Sequence, residues 1–176
     1  MILRLPNTYR SRAIWYFSAA MESARDACAA DDHAGRFRAI SRAYFEWGEA
    51  NPQKYIFLFG TPIPGYRFGQ EVAPSAQRSF FVLQGVVGDA YRAGKISGDA
   101  SSLKLPTPLK GQYEAMRKLG MPYAGVVTHL ALSVWGTMHG MTSLFLYGYF
   151  GGFLGEQVGR FVDVEIETMI RVLGLE

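Results

Sequence analysis

Residues 119–155 read LGMPYAGVVTHLALSVWGTMHGMTSLFLYGYFGGFLG, a stretch without a single Asp, Glu, Lys or Arg. From position 123 to about 149 nothing forces a break, so the segment is readable as one helix of roughly 40 Å at about 1.5 Å per residue. A helix so long and so uncharged must be hidden almost all the way round. A bilayer would hide it, and so would a core completed by a second copy of the chain. Against a membrane span stand His129, His139, Thr128, Ser133, Thr137, Thr142, Ser143 and several glycines, with no Lys/Arg cluster flanking either end. The reading taken forward is a protein core shared with a partner copy.

The remaining helices carry ordinary amphipathic patterns. After Pro6-Asn7-Thr8, a helix start signal, residues 9–30 place Ile14, Phe17, Met21, Ala24 and Cys28 at helical spacing, with Trp15 and Tyr16 widening the stripe. Cys28 then falls on the packed face as an inert thiol. Asp31-Asp32 breaks the chain and offers an N-cap to a second helix over 33–50, whose face is Phe37, Ile40, Tyr44, Trp47 and Asn51. On its polar side Arg42 and Glu46 stand one turn apart. Asn51-Pro52 starts a short helix over 53–59, closed by Gly60. Two prolines make Thr61-Pro-Ile-Pro-Gly-Tyr66 a stiff turn. Residues 74–93 form another helix, with Phe80, Leu83, Val87, Ala90 and Tyr91 inward, Gln84 as a polar insertion and Gly94 at the C′ position. ISGDASSLKLPTP (96–108) is the loosest stretch, followed by a modest helix over 109–119 and, after the long segment, Gly151-Gly152 as a turn into a last helix over 153–173.

Seven helices and no defensible strand pattern make the chain all-α, one domain over residues 1–176. The two last helices form a hairpin, apolar over more surface than a domain of this size hides alone. Two hairpins crossing in a twofold dimer would give a four-helix interface. Its residues are expected to be Val134, Met138, Met141 and Phe145 on the long helix, with Val158, Val162, Ile166, Met169 and Leu173 on the last.

Composition excludes several classes. A net charge of +3 with scattered basic residues falls short of a nucleic-acid surface. One cysteine rules out an intrachain disulfide framework and fits a reducing, cytoplasmic compartment. His33, His129 and His139 lie far apart, so no metal site is indicated, and no cofactor is implied. There is no secretory signal at residues 1–5, no phosphate loop, no HExxH and no GxSxG, and Glu165 and Glu167 do not share a helix face. No enzyme is expected.

What remains is a surplus of 12 Phe, 10 Tyr, 7 Met and 3 Trp. Core and dimer interface can absorb it without a ligand, giving a helical dimer that acts as a structural or protein-interaction module. The sharper account is an apolar effector cavity with a few placed polar groups. Its candidate ligand-binding residues are Tyr44, Trp47, Tyr55, Phe59, Gln84, Tyr91, Trp135 and His139, each presenting a large ring or a polar tip on an inward face. A buried histidine needs partners for both nitrogens, which singles out His139. The effector would be small and hydrophobic or planar.

Two motifs in order carry a family resemblance. Tyr55-x-x-Leu58-Phe59-Gly60 followed by Pro62-x-Pro64-Gly65-Tyr66, and later Trp135-Gly136-x-x-His139-Gly140, resemble the C-terminal ligand-binding and dimerisation domain of TetR-type transcriptional regulators, in the subgroup named for its Trp-His-Gly residues. The resemblance covers the chain from about Ala34 onward. It implies a homodimer through the last two long helices and an inducer pocket among the central ones, with a ligand altering the separation of two N-terminal DNA-binding heads. The chain departs from that pattern at its front: about eight residues precede the first helix, and no helix-turn-helix head is expected within it. Operator DNA would then be read only through a head absent from these residues.

Overall fold

A computed structural model describes residues 7–60, 73–118, 120–123 and 125–175, with the side chains of 7–10 and 73–76 excepted. The expected turn at 61–66, the Pro6 start signal and the apolar run at 1–5 lie outside the described residues. All regular structure described is helical: α1 (Asn7–Asp26), α2 (His33–Ala50), α3 (Pro52–Phe59), α4 (Ala73–Arg92), α5 (Gly98–Ser102), α6 (Thr107–Lys118), α7 (Val126–Leu146), α8 (Gly151–Leu154) and α9 (Val158–Leu173), the last preceded by a 3-10 turn at Gly155–Gln157.

Local chemistry sets most boundaries. Asp32 caps α2, its side chain accepting from the Gly35 N–H at 2.7 Å. Pro52 occupies the first turn of α3. At the end of α4, Lys95 N–H reaches the Ala90 carbonyl while Gly94 takes a positive φ of 66°. Three expectations are corrected. The first helix stops at Asp26 rather than at residue 30, which leaves Cys28 partly exposed instead of on the packed face. The long helix is shorter at both ends, spanning Val126–Leu146. It is ended by Gly148, whose φ of 79° lets Tyr149 N–H bond the Leu144 carbonyl; Gly151 and Gly152 instead lie inside α8. Among the described residues no helix is long and apolar enough to cross a membrane.

The core is organised around α2, which packs against α1, α4, α7 and α9. Phe37, Ile40, Tyr44 and Phe45 of α2 are buried among Phe17 and Met21 of α1, Leu83, Val86 and Val87 of α4, Val134 and Met138 of α7, and Val162 and Ile166 of α9. Burying such side chains contributes about 1.5–3 kcal/mol each. Two surface pairs tie α2 to α9, Arg38 to Glu167 at 2.5 Å and Arg42 to Asp163. Arg42 thus pairs across helices and not with Glu46, because α9 brings a carboxylate within reach of its guanidinium. Each exposed pair is worth at most about 1 kcal/mol.

The hairpin is also less intimate than expected: α7 and α9 touch each other less than each touches α2. This relocates the nine residues assigned to a dimer interface. Val134, Met138, Met141, Val158, Val162, Ile166, Met169 and Leu173 are all buried within the chain's own core, and Phe145 is half-buried with its ring 5.1 Å from Phe45. A hydrophobic stripe marks the face a helix buries most completely. Here the stripe of α7 is turned to α4 and α2 of the same chain, and that of α9 to α2.

Candidate functional site

Five helices converge on one group of rings. Tyr44 and Trp47 come from α2, one turn apart. Tyr55 and Phe59 come from α3, four residues apart, and Trp135 and His139 repeat that spacing on α7. Gly48 permits the convergence. A Cβ there would come within 2.6 Å of Thr142 Cγ2 and 3.2 Å of the Tyr55 ring, so only glycine lets α3 and α7 close on α2 at this height.

The rings form a continuous cluster. Tyr55 stacks on His139 at 5.7 Å between centroids with planes 24° apart, and Trp135 stacks on it at 5.8 Å and 27°. Phe59 meets the histidine edge-on at 5.4 Å and Tyr55 at 5.0 Å. Phe17 of α1 touches Tyr44 at 4.9 Å, Trp47 at 4.9 Å and Phe59 at 5.5 Å, while Phe80 of α4 closes on Trp135 at 5.9 Å. Edge-to-face and offset pairs of this kind add about 0.5–1.5 kcal/mol each beyond area burial.

Inside the ring cluster is a small polar one. The Tyr44 and Tyr55 hydroxyls lie 3.2 Å apart, and both reach His139 Nδ1, at 3.2 Å and 2.8 Å. Burial pushes the Tyr44 phenol well above its ordinary range and that of Tyr55 up to about 12, so both keep their protons at any physiological pH. Burial also lowers the pKa of His139, favouring the neutral imidazole. Trp135 Nε1 is buried without a hydrogen-bond partner among the described residues. These groups can orient a polar atom of an otherwise apolar molecule. They do not supply a nucleophile with its base.

Six of the eight expected site residues, Tyr44, Trp47, Tyr55, Phe59, Trp135 and His139, thus belong to one connected cluster. Gln84 is fully buried but serves another purpose: its Nε2 donates to Thr128 Oγ1 at 2.9 Å and to the Tyr123 carbonyl at 3.3 Å, bracing the start of α7. Its Oε1 is buried without a hydrogen-bond partner among the described residues. Tyr91 is a correction. It is 43% exposed at the end of α4, since Leu83, Val87 and Ala90 take the inward positions and the next residue is rotated about 100° away. Phe17 and Phe80, helix-stripe residues by their sequence pattern, are members of the cluster as well. Their inward spacing was visible, but their ring contacts cross three helices.

The opposite side of α7 differs. Ser133, Gly136, Thr137, Leu144 and Tyr147 are exposed, as are Tyr149 and Phe153 beyond it, the latter at 88%. The described residues thus form a helical bundle with a ring-lined centre, whose ring-bearing helix also presents an exposed, uncharged outer face.

Comparison with known proteins places it more closely. Residues 37–169 match the family described as Tetracyclin repressor-like, C-terminal domain, and the chain belongs to that family of TetR-type regulator domains, a class of transcriptional regulators and not of enzymes. It is 30% identical over 159 residues to the HTH-type transcriptional regulator Rv1816 of Mycobacterium tuberculosis (strain ATCC 25618 / H37Rv), and equally to the HTH-type transcriptional regulator Mb1846 of Mycobacterium bovis. In each case 87% of this chain aligns, and it spans 65% of the relative's length. The fold is also that of SCO4313, described as a regulatory protein (TM-score 0.68, 23% identity, 92% of this chain and 70% of that one). A Rhodococcus sp. RHA1 protein of unknown function is similar too (TM-score 0.67, 20% identity, 96% and 71%).

Proposed function

We propose that this chain is the effector-binding and dimerisation module of a TetR-like transcriptional regulator of the Trp-His-Gly subgroup, sensing a small hydrophobic or planar molecule in the cytoplasm. The observation that carries the reading is the ring cluster around His139. It gathers residues of α1, α2, α3, α4 and α7 about two buried hydroxyls and an imidazole. A core of ordinary aliphatic packing has no need of such a polar centre, whereas an apolar ligand oriented by a few polar groups does. The relatives bear the name of HTH-type transcriptional regulators. Operator contact would accordingly belong to a DNA-binding head outside these 176 residues.

Dimerisation is assigned to the outward faces of α7 and α9. Gly136 and Gly140 stand four residues apart on α7 and allow close backbone approach, and Leu144, Tyr147, Val164 and Val172 offer exposed apolar surface. Facing two copies of this surface follows the twofold logic by which one patch is self-complementary.

Native mass spectrometry of the purified protein without detergent tests both parts. A dimer of 19.6 kDa chains carrying extra mass supports the reading. A monomer that carries no mass, and whose Trp135 fluorescence in a Trp15→Phe, Trp47→Phe background responds to no compound, would sink it.

A further inference from the structure

The hydrogen-bond geometry around His139 determines which kind of polar atom the cluster is built to receive, given the effector-binding reading above. Three groups compete for few acceptors. Tyr44 and Tyr55 are buried, and each hydroxyl has one proton to place. Within reach are the two hydroxyl oxygens, His139 Nδ1, and, at 3.4 Å from Tyr55, the His139 carbonyl. With Nδ1 unprotonated the chain closes. Tyr44 O–H donates to the Tyr55 oxygen at 3.2 Å and Tyr55 O–H donates to Nδ1 at 2.8 Å.

With Nδ1 protonated the protons can still be placed, but only on the longer contacts: Nδ1–H donates to the Tyr44 oxygen at 3.2 Å, Tyr44 O–H to the Tyr55 oxygen at 3.2 Å, and Tyr55 O–H to the His139 carbonyl at 3.4 Å. The short 2.8 Å contact then goes unused. The geometry therefore favours the imidazole proton on Nε2. That nitrogen has no hydrogen-bond partner among the described residues, and His139 keeps part of its surface exposed.

We infer that His139 is a hydrogen-bond donor, presenting Nε2–H from among its ring neighbours Trp135, Tyr55 and Phe59 to an acceptor oxygen of a planar, otherwise apolar effector. The class this selects is an aromatic or conjugated ketone, quinone or lactone. An amine or other donor-only compound would meet N–H with N–H. Burial favours the neutral imidazole, so the donor does not rely on positive charge and gives no special advantage to a carboxylate.

The test has two stages. Long-range proton–nitrogen correlation NMR on ¹⁵N-histidine-labelled protein reads the tautomer directly, without any ligand. Nε2–H is expected for His139, giving way to a tautomer mixture in Tyr55→Phe. Nδ1–H as the main form overturns the donor assignment and leaves the effector reading intact. The ligand class is then read with a shape-matched pair, fluorenone and the hydrocarbon fluorene, by quenching of Trp135. The ketone should bind roughly tenfold tighter or more, a preference lost in His139→Phe. Equal affinities overturn the acceptor class while keeping the pocket. Saturation by neither probe counts against both the acceptor class and the pocket.

Discussion

The inner and outer sides of α7 are built from the same uncharged stretch of sequence and do opposite things. Inward, Trp135 and His139 join a cluster in which every ring has ring neighbours, and Val134, Met138 and Met141 are buried against the rest of the chain. Outward, Ser133, Gly136 and Thr137 leave a surface with little relief, running toward the exposed Leu144 and Tyr147. The first side is completed by the chain itself. The second has no packing partner among the described residues, and it is as free of charge as the first. A helix packed on one face only would have placed its Lys and Glu on the other.

Substitutions can break this contrast, beginning with the largest effect. Glutamates at Met141 and Met169 put carboxylates into the protomer core with nothing to pair them, at a cost of several kcal/mol. The double variant should lose its cooperative thermal transition by circular dichroism. If it stayed folded and merely became monomeric, the inward assignment of these two methionines would be wrong. Glutamates at Leu144 and Val164, by contrast, should change protomer stability by no more than about 0.5 kcal/mol each, yet dissociate the proposed dimer in sedimentation at micromolar concentration. A dimer that survives them moves the interface elsewhere.

The next effect sharpens the inner side alone. Gly48→Ala directs a methyl group at the stiff Thr142 side chain and the Tyr55 ring, and overpacking of this kind costs about 1–3 kcal/mol. It should also weaken any ligand response of Trp135, because α3 and α7 must separate. A variant as stable as the parent would show that the three helices are not held at this height by the glycine.

The smallest effect is a pH dependence. Burial lowers the pKa of His139 in the folded state, so the unfolded chain binds the proton more readily there. The contribution is fully present above the unfolded value of about 6.5 and is lost as the pH falls from there through the lower folded value. For one group the slope cannot exceed about 1.4 kcal/mol per pH unit. Urea titrations at several pH values should show the wild type losing stability below about pH 6.5 relative to His139→Phe. Parallel pH profiles would mean that the imidazole is solvated like a free one.

Local chemistry made most helices readable. Asp32, Pro52 and Gly94 act through their own backbone or capping chemistry, so their effect is visible without knowing what lies nearby. The same holds for the inward stripes, whose period is a property of one helix. Boundaries slipped where two signals competed: at the end of α7, Gly148 stopped the helix before the more conspicuous Gly151-Gly152 pair. Tyr91 slipped because it adjoins Ala90, and a stripe read from spacing does not resolve one residue of rotation at a helix end.

The site was visible as residues and not as geometry. Rings spaced by three or four on three different helices were each identifiable as inward, and the Trp135/His139 pair carried the family resemblance. Phe17 and Phe80 had the same inward spacing, but nothing in it distinguishes a ring that touches Trp47 or Trp135 from one that packs on Leu83.

By itself, then, the sequence determined an all-helical chain, its inward stripes, a long helix free of charge, and a resemblance to the family its motifs point to. These follow from backbone preferences and from the periodicity of burial, which act over one or two turns. Only the tertiary structure decided what covers each face. It gave Met138, Val162 and Ile166 to the protomer core, Tyr91 to solvent, and His139 Nδ1 to two tyrosine hydroxyls from α2 and α3. Burial depends on water being excluded and does not record by which neighbour. Hydrogen bonds require a named partner at about 3 Å, and that partner is fixed only when distant segments pack together.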